Sequence, residues 1–489
     1  MTSPDRLAAD RRRLRRSVWI NVAGTVGKAL WPLFIAIAAR THGTVVLGTF
    51  LMIQAAVEIV QSLVQSGYVA SIHRFAARRP GDPVPVGFHA LVRSCLGSVL
   101  GVELVVVVLG CSVAFVAGVQ RDALVAIALM GASLVLQSSV AILVAPLTAM
   151  LRNEYEVMIT QFLAPVLVNV LALVAPPTIA GLASAFVIAY ATSTIVALIC
   201  MHRAFGLRGL VADRTPAPAH RRFAILQGLN AGLWISVYSL DTLLLGLFVA
   251  PSLVVLYRAG SEITRALYLV RTQFVGAFSP LAARYFADRD PGPIASVLAD
   301  LSATMTWIGA MVVGAIALWR EPLLHLALGN PPAEVGFVLV LLAGQLYLCM
   351  TALTGSVLAM GGHAALLLKN GLAMTALNIV LNLVLDPWLG LAGASIATLC
   401  AMALSQTLQL VELPRVVGIR HRIGGPLRAA GVAAVAFALA WPCGLVATGV
   451  AAPIVRTVVF STLVIAGWMV CRRDAVRPET LTSGPGPAA

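Results

Sequence analysis

Polar and ionisable side chains recur at helical spacing inside apolar runs of this chain, and any chemistry it performs must be sought there. Asn21, Thr25, Lys28 and Pro32 follow the i, i+4, i+7, i+11 register that puts residues on one helix face. Gln54, Glu58, Gln61 and Gln65 repeat that register. Asn230, Trp234 and Asp241, with Tyr238 beside them, form a third stripe, and Arg258, Glu262 and Arg265, continued by Tyr268 and Thr272, a fourth. A planar guanidinium offers two parallel hydrogen bonds to a phosphate. Lys28, Arg258 and Arg265 therefore read as an anion-binding cluster on a hydrophilic pathway. The amides and the indole of the same stripes are contacts for a polar substrate. Glu58, Asp241 and Glu262 are acids suited to coupling with a proton or cation. A plainer reading stands beside each. Glu262 can neutralise Arg258 at i−4 and Arg265 at i+3, Lys28 can extend to the membrane surface, and Glu58 and Asp241 can serve as hydrogen-bonding groups.

These stripes are costly unless the elements carrying them are membrane spans. Of 489 residues 59% are hydrophobic and 11% charged, and mean hydropathy is +0.92. A soluble domain carries about 25% charged residues, so an ordinary soluble enzyme, a disordered chain and a secreted disulfide scaffold are excluded. Runs such as Leu104–Val108 and Val335–Leu342 are continuous rather than alternating, which selects helices over barrel strands. The sequence predicts an all-α polytopic membrane protein with fourteen spans, near 18–39, 45–68, 91–117, 123–149, 157–176, 181–201, 223–249, 253–278, 296–319, 335–359, 366–386, 389–412, 427–447 and 453–471.

The net charge of +14 comes almost entirely from arginine, Lys28 and Lys369 being the only lysines. With the N-terminus in the cytoplasm, most basic residues fall on that side, and only Arg40, Arg121, Arg320 and Arg456 face out. This agrees with the positive-inside rule for an even number of spans and both ends inside. The charge is thereby assigned to loops, not to nucleic acid. The expected organisation is a basic tail (1–17), a six-helix lobe (18–201), a cytoplasmic linker (202–222), a second six-helix lobe (223–412), two additional spans (427–471) and a disordered tail (472–489). A weak repeat supports the two halves: Arg74-Phe-Ala-Ala-Arg-Arg-Pro-Gly81 and Arg284-Tyr-Phe-Ala-Asp-Arg-Asp-Pro-Gly292 each follow the second span of a half. Duplicated halves place a substrate site between them, near the membrane midplane.

Motifs for catalysis are scarce. There is no P-loop, HExxH or nucleophile elbow, and the seven cysteines include no CxxC spacing. Asp288-Arg289-Asp290 has a spacing that could hold a divalent metal, but in a cytoplasmic turn rich in Pro and Gly. Seven of the eight histidines lie in predicted loops without ligand pairing. Arg93 and Glu103 read as structural, and Asn370, Asn378 and Asn382 as interhelical hydrogen-bonding groups. No cofactor and no metal is implied.

Asn21-Val-Ala-Gly-Thr-Val-Gly-Lys28, Ala39-Arg40-Thr-His-Gly43 and Leu47-Gly-Thr-Phe50 together resemble the opening of bacterial polysaccharide flippases, the Wzx-type members of the multidrug/oligosaccharidyl-lipid/polysaccharide (MOP) exporter superfamily. Asp241-Thr-Leu-Leu-Leu-Gly246, Leu256-Tyr257 and Ser279-Pro280 look like the start of that family's second half, and Gly390-Leu-Ala-Gly-Ala-Ser-Ile-Ala-Thr398 like its twelfth span. The resemblance implies a MATE-like fold of two pseudo-symmetric bundles and no enzymatic activity. It implies alternating-access export of an undecaprenyl-diphosphate-linked oligosaccharide across the bacterial cell membrane, with membrane lipids and a glycan polymerase as partners. Lys28, Arg258 and Arg265 would then engage the diphosphate and the glutamines the sugar hydroxyls. Lipid II flippases are similar in span number but carry an arginine pair in the second span, where this chain has Val60 and Gln61. A glycan other than the peptidoglycan precursor is therefore expected. The alternatives are a cation-coupled small-molecule antiporter of the same fold and a polytopic glycan polymerase or glycosyltransferase.

Overall fold

A computed structural model describes residues 24, 27, 30–76, 87–150, 152–206, 220–287, 292–329, 334–443 and 451–476. Every regular element among them is helical. In chain order these are α1 (Leu30–His42), α2 (Thr44–Phe75), α3 (Phe88–Val116), α4 (Arg121–Thr148), α5 (Asn153–Val174), α6 (Ile179–Phe205), α7 (Arg221–Leu245), α8 (Pro251–Thr264), α9 (Ala266–Ala287), α10 (Gly292–Leu328), α11 (Phe337–Thr351), α12 (Leu353–Met360), α13 (Ala364–Leu389), α14 (Leu391–Val416), α15 (Gly424–Cys443) and α16 (Ala451–Val476). The chain is an all-α multi-pass membrane protein. Among the described residues eleven helices are long and apolar enough to cross a membrane, and α11 with α12, bent by 43°, makes up to twelve. The α3 face carrying Leu104, Val105, Val108, Leu109 and Val113 is exposed, a surface suited to lipid rather than water.

Fourteen spans were expected, and that number is not established. Part of the first predicted span lies outside the described residues, including Asn21, Thr25 and Lys28. The eighth is interrupted at Arg265, where α8 ends and α9 begins. The cause is local. Ser261 Oγ donates to the Arg258 carbonyl at 3.0 Å and Thr264 Oγ1 to the Ser261 carbonyl at 2.8 Å, and hydroxyls bonded back onto carbonyls compete with the helical ladder. The linker at 207–219, the tail from 477 and the Asp288-Arg289-Asp290 turn also lie outside the described residues, as do Arg78, Arg79 and Pro80 of the repeat.

The described chain divides into two compact units. The first comprises Met1–Arg265, Leu323–Gly344 and His363–Leu408. One of its anchor points is an aromatic cluster in which Phe34 of α1, Phe50 of α2 and Phe186 of α6 meet at ring separations of 5.1–6.0 Å. Such pairs add directional attraction to the burial of three large side chains. Gly43 joins α1 to α2 at φ 79°, a left-handed turn that a side chain would strain. The crossing of α2 and α7 is tighter. A Cβ on Gly67 would sit 1.8 Å from the Ala224 carbonyl oxygen, and one on Gly228 2.7 Å from that of Leu63. Small residues let two membrane helices touch backbone to backbone, and here they fix the rotation of α7 against α2. The second unit comprises Ala266–Pro322, Gln345–Gly362 and Gln409–Ala489. Its core joins α10, α15 and α16 through Ala310, Leu318, Ala433, Ala436, Phe460 and Val464, with Trp319 Nε1 donating to Thr457 Oγ1 at 2.9 Å.

Candidate functional site

The first unit brings the second and fourth stripes together. Arg258 Nη2 donates to both oxygens of Glu58, at 2.8 Å to Oε1 and 3.0 Å to Oε2, and its Nε forms an ion pair with Glu262 Oε1 at 3.1 Å. Glu262 Oε1 also accepts from Arg265 Nη1 at 2.8 Å. Ser239 Oγ of α7 donates to Glu58 Oε2 at 2.6 Å, and Gln54 Nε2, one turn before Glu58, to its Oε1 at 3.2 Å. Three helices, α2, α7 and α8, are thus tied by one charged chain. With two guanidinium and two carboxylate groups the chain is formally neutral. The intrahelical pairing of Glu262 with both arginines is present, and the bond to Glu58 across two hundred residues adds to it. Arg258 commits Nε and Nη2 to the two glutamates. Arg265 is more open: its side chain is 29% exposed, and beyond Glu262 it stacks over the Tyr238 ring, 5.0 Å from the centroid.

Beside this chain lies a cavity of about 250 Å³. Glu58, Arg258, Glu262 and Arg265 form its charged wall, Gln54, Gln61 and Gln137 supply amides, and Trp31 and Tyr190 supply aromatic edges. A charged group with open donors, three amides and two aromatic rings suit a polar, hydroxyl-bearing or anionic ligand. Of the proposed substrate contacts, Gln54, Gln61, Arg258 and Arg265 line this cavity. Gln65 Oε1 instead lies 3.3 Å from Ser138 Oγ, whose single hydrogen goes to the buried Glu103 at 2.5 Å. Asn230 and Trp234 share the α7 stripe with Asp241 but do not line the cavity. Lys28 and Asn21 lie outside the described residues.

Asp241 belongs to a separate, enclosed cluster in the same unit. Its Oδ1 accepts from Asn378 Nδ2 at 2.8 Å and Asn382 Nδ2 at 3.1 Å. Its Oδ2 accepts from the Tyr257 hydroxyl at 3.1 Å and from Thr398 Oγ1. Asp386, one turn past Asn382, is within electrostatic reach of Asp241 and Tyr257. It is 1% exposed, and both its carboxylate oxygens lack a hydrogen-bond partner among the described residues, as do the Oδ1 atoms of Asn378 and Asn382. Two buried carboxylates with no cationic side chain bonded to either among the described residues are costly unless a proton or cation joins them. The oxygens on offer are hard donors of the kind a small cation accepts. No group of three or more His, Cys, Asp or Glu residues suited to a metal occurs among the described residues.

Trp31, Gln137, Tyr190 and Asp386 escaped the sequence reading. Gln137 is the one amide in its span and Tyr190 the one ring hydroxyl in its own, so neither made a stripe. Asp386 closes the row Asn378, Asn382, Asp386 at i, i+4, i+8, and that row was a legible signal.

Comparison with known proteins bears on this arrangement. Residues 14–286, more than half of the chain, match the model of a family described as polysaccharide biosynthesis protein. No curated protein matches the sequence. Among solved structures the chain is similar to one named "Lipid II flippase MurJ, inward closed conformation", with a TM-score of 0.72 and 11% identity over 94% of this chain and 100% of that one. It is similar also to a multidrug resistance MATE family transporter of the MOP superfamily in an inward-facing conformation, with a TM-score of 0.59 and 14% identity over 80% and 95%. A third match is the MATE multidrug transporter DinF-BH in complex with R6G, with a TM-score of 0.55 and 17% identity over 82% and 95%. At these identities the likeness is one of fold.

Proposed function

The chain belongs to the polysaccharide biosynthesis protein family, and on that footing we propose that it is a flippase. In this reading it carries a polyprenyl-diphosphate-linked oligosaccharide from the inner to the outer leaflet of the bacterial cytoplasmic membrane by alternating access. The observation that supports this best is the amide-lined cavity walled by Glu58, Arg258, Glu262 and Arg265 among membrane-spanning helices. Arg265, with donors to spare, takes a phosphate oxygen, and Gln54, Gln61 and Gln137 take sugar hydroxyls. Lys28, Asn21, Gln65, Asn230 and Trp234 are further proposed contacts along the path. Arg258 holds Glu58 and Glu262 in place and turns to substrate phosphate only if these pairs open. Both termini lie in the cytoplasm, the two six-helix lobes rock about the substrate, and a glycan polymerase takes the exported unit. Deleting the gene is expected to accumulate lipid-linked oligosaccharide on the cytoplasmic face. Unchanged levels with normal surface glycan would contradict the proposal.

A second reading has its own support in the buried Asp241 and Asp386 pair. Acids without a cationic partner suit coupling to an inward flow of protons or sodium, and a cation-coupled small-molecule antiporter would need the same feature. The two readings separate on overexpression. An antiporter confers drug resistance that Asp241→Asn abolishes, whereas a flippase alters surface glycan and leaves drug sensitivity unchanged.

A further inference from the structure

The second unit holds a cavity of its own. It measures about 600 Å³ and runs from the last two turns of α14 into the turn that leads to α15. Its lining divides by chemistry. Val411, Pro414 and Ile423 are apolar, Arg415 and Arg420 are exposed guanidinium groups, and His421 sits among them. Both flanking helices, Leu391–Val416 and Gly424–Cys443, are candidate spans. The turn between them therefore lies at a membrane surface, with Val411 and Pro414 at the edge of the apolar slab. Arg415 and Arg420 bond to no carboxylate among the described residues. His421 is pinned by a 3.1 Å hydrogen bond between Nδ1 and Thr354 Oγ1, while its Nε2 is buried without a partner among the described residues.

We propose that this cavity holds the phosphodiester headgroup of an anionic membrane phospholipid. The phosphate lies between Arg415 and Arg420, His421 Nε2 supplies a further hydrogen bond, and an acyl chain runs over Val411, Pro414 and Ile423. Charge selects this occupant. Two guanidinium groups without a carboxylate partner among the described residues favour a headgroup with net negative charge, and a zwitterionic one brings its own cation to the same place. The apolar wall selects a lipid over free phosphate, which would satisfy the arginines and leave that wall in water. The site uses no residue of the glutamate–arginine cavity, so it stands whether or not that cavity carries a glycan.

The test uses the full-length protein in vesicles of phosphatidylcholine, with or without phosphatidylglycerol. Arginines are modified with phenylglyoxal and the modified positions are read by mass spectrometry. Phosphatidylglycerol is expected to slow modification of Arg415 and Arg420 about tenfold, the scale of one charge-assisted hydrogen bond, and to leave Arg203 at the end of α6 unchanged. Inorganic phosphate added to phosphatidylcholine vesicles is expected to protect neither. Equal slowing at Arg203 would reveal general surface electrostatics and overturn the site, and so would the absence of protection. Protection by inorganic phosphate alone would overturn the assignment to lipid. As a second measurement, native mass spectrometry should show phosphatidylglycerol retained over phosphatidylcholine by the wild type and by Arg203→Gln/Arg222→Gln, but not by Arg415→Gln/Arg420→Gln. Loss in both double variants would also overturn it.

Discussion

Replacing Arg258 with alanine removes two hydrogen bonds to Glu58 and an ion pair with Glu262. The Arg258 side chain is 7% exposed, that of Glu262 10% and that of Glu58 24%. Taking one partner from a buried ion pair costs about 3–5 kcal/mol, because the other charge is stranded. Here the loss is softened on both sides. Glu262 keeps Arg265, and Glu58 keeps Ser239, Gln54 and its exposure to the cavity. Arg258→Ala is therefore expected near the lower end, about 3 kcal/mol. Combining it with Glu58→Gln removes the stranded charge, so the double variant should be more stable than the sum of the single losses by about 1–2 kcal/mol. The four proteins are compared by denaturant unfolding in mixed micelles with tryptophan fluorescence. Additivity within about 0.5 kcal/mol, or a loss from Arg258→Ala below about 1 kcal/mol, would refute the view that this pair ties α2 to α8.

Gly67→Leu should drive the α2–α7 crossing apart at a cost of at least about 3 kcal/mol, seen as loss of the monodisperse peak in size-exclusion chromatography, and a protein of wild-type elution and stability would contradict the backbone contact. If the Asp241 and Asp386 cluster takes a cation, sodium at about a hundred times its dissociation constant should stabilise the protein by about 2.7 kcal/mol over choline, and Asp386→Ala should abolish the difference. Equal unfolding in the two salts would remove that role. Burial holds the His421 imidazole down at about 4, below its unfolded value of about 6.5. Between those pH values the unfolded chain binds a proton that the folded one does not, so stability falls as pH drops through that window and levels off below it. Measured against His421→Gln across that range, the wild type should lose on the order of 3 kcal/mol more, and parallel profiles would contradict the burial.

The apolar runs made the fold legible because a membrane span is a local property of about 20 residues. Residues sharing a helix face were legible for the same reason, and Gln54, Glu58, Gln61, Arg258, Glu262 and Arg265 do line one cavity. What lies around that cavity was not. Glu58 meets Arg258 across a separation of 200 residues, which no periodicity encodes. Register places Asn230 and Trp234 beside Asp241, but the rotation of α7 is set by Gly67, Gly228 and Leu63 at the crossing with α2. That contact turns Ser239 to Glu58 and leaves Asp241 to Asn378, Asn382 and Tyr257. The break at Arg265 escaped because no proline or glycine stands at it.

The most direct measurement is transport itself. Purified protein is placed in proteoliposomes with a polyprenyl-diphosphate oligosaccharide, and an impermeant glycosidase reads how much glycan becomes accessible with time. Wild-type protein should speed that appearance well beyond empty liposomes, and Arg265→Ala, folded to the same degree, should lose most of the effect. A rate equal to that of empty liposomes for correctly folded wild-type protein would contradict the flippase account.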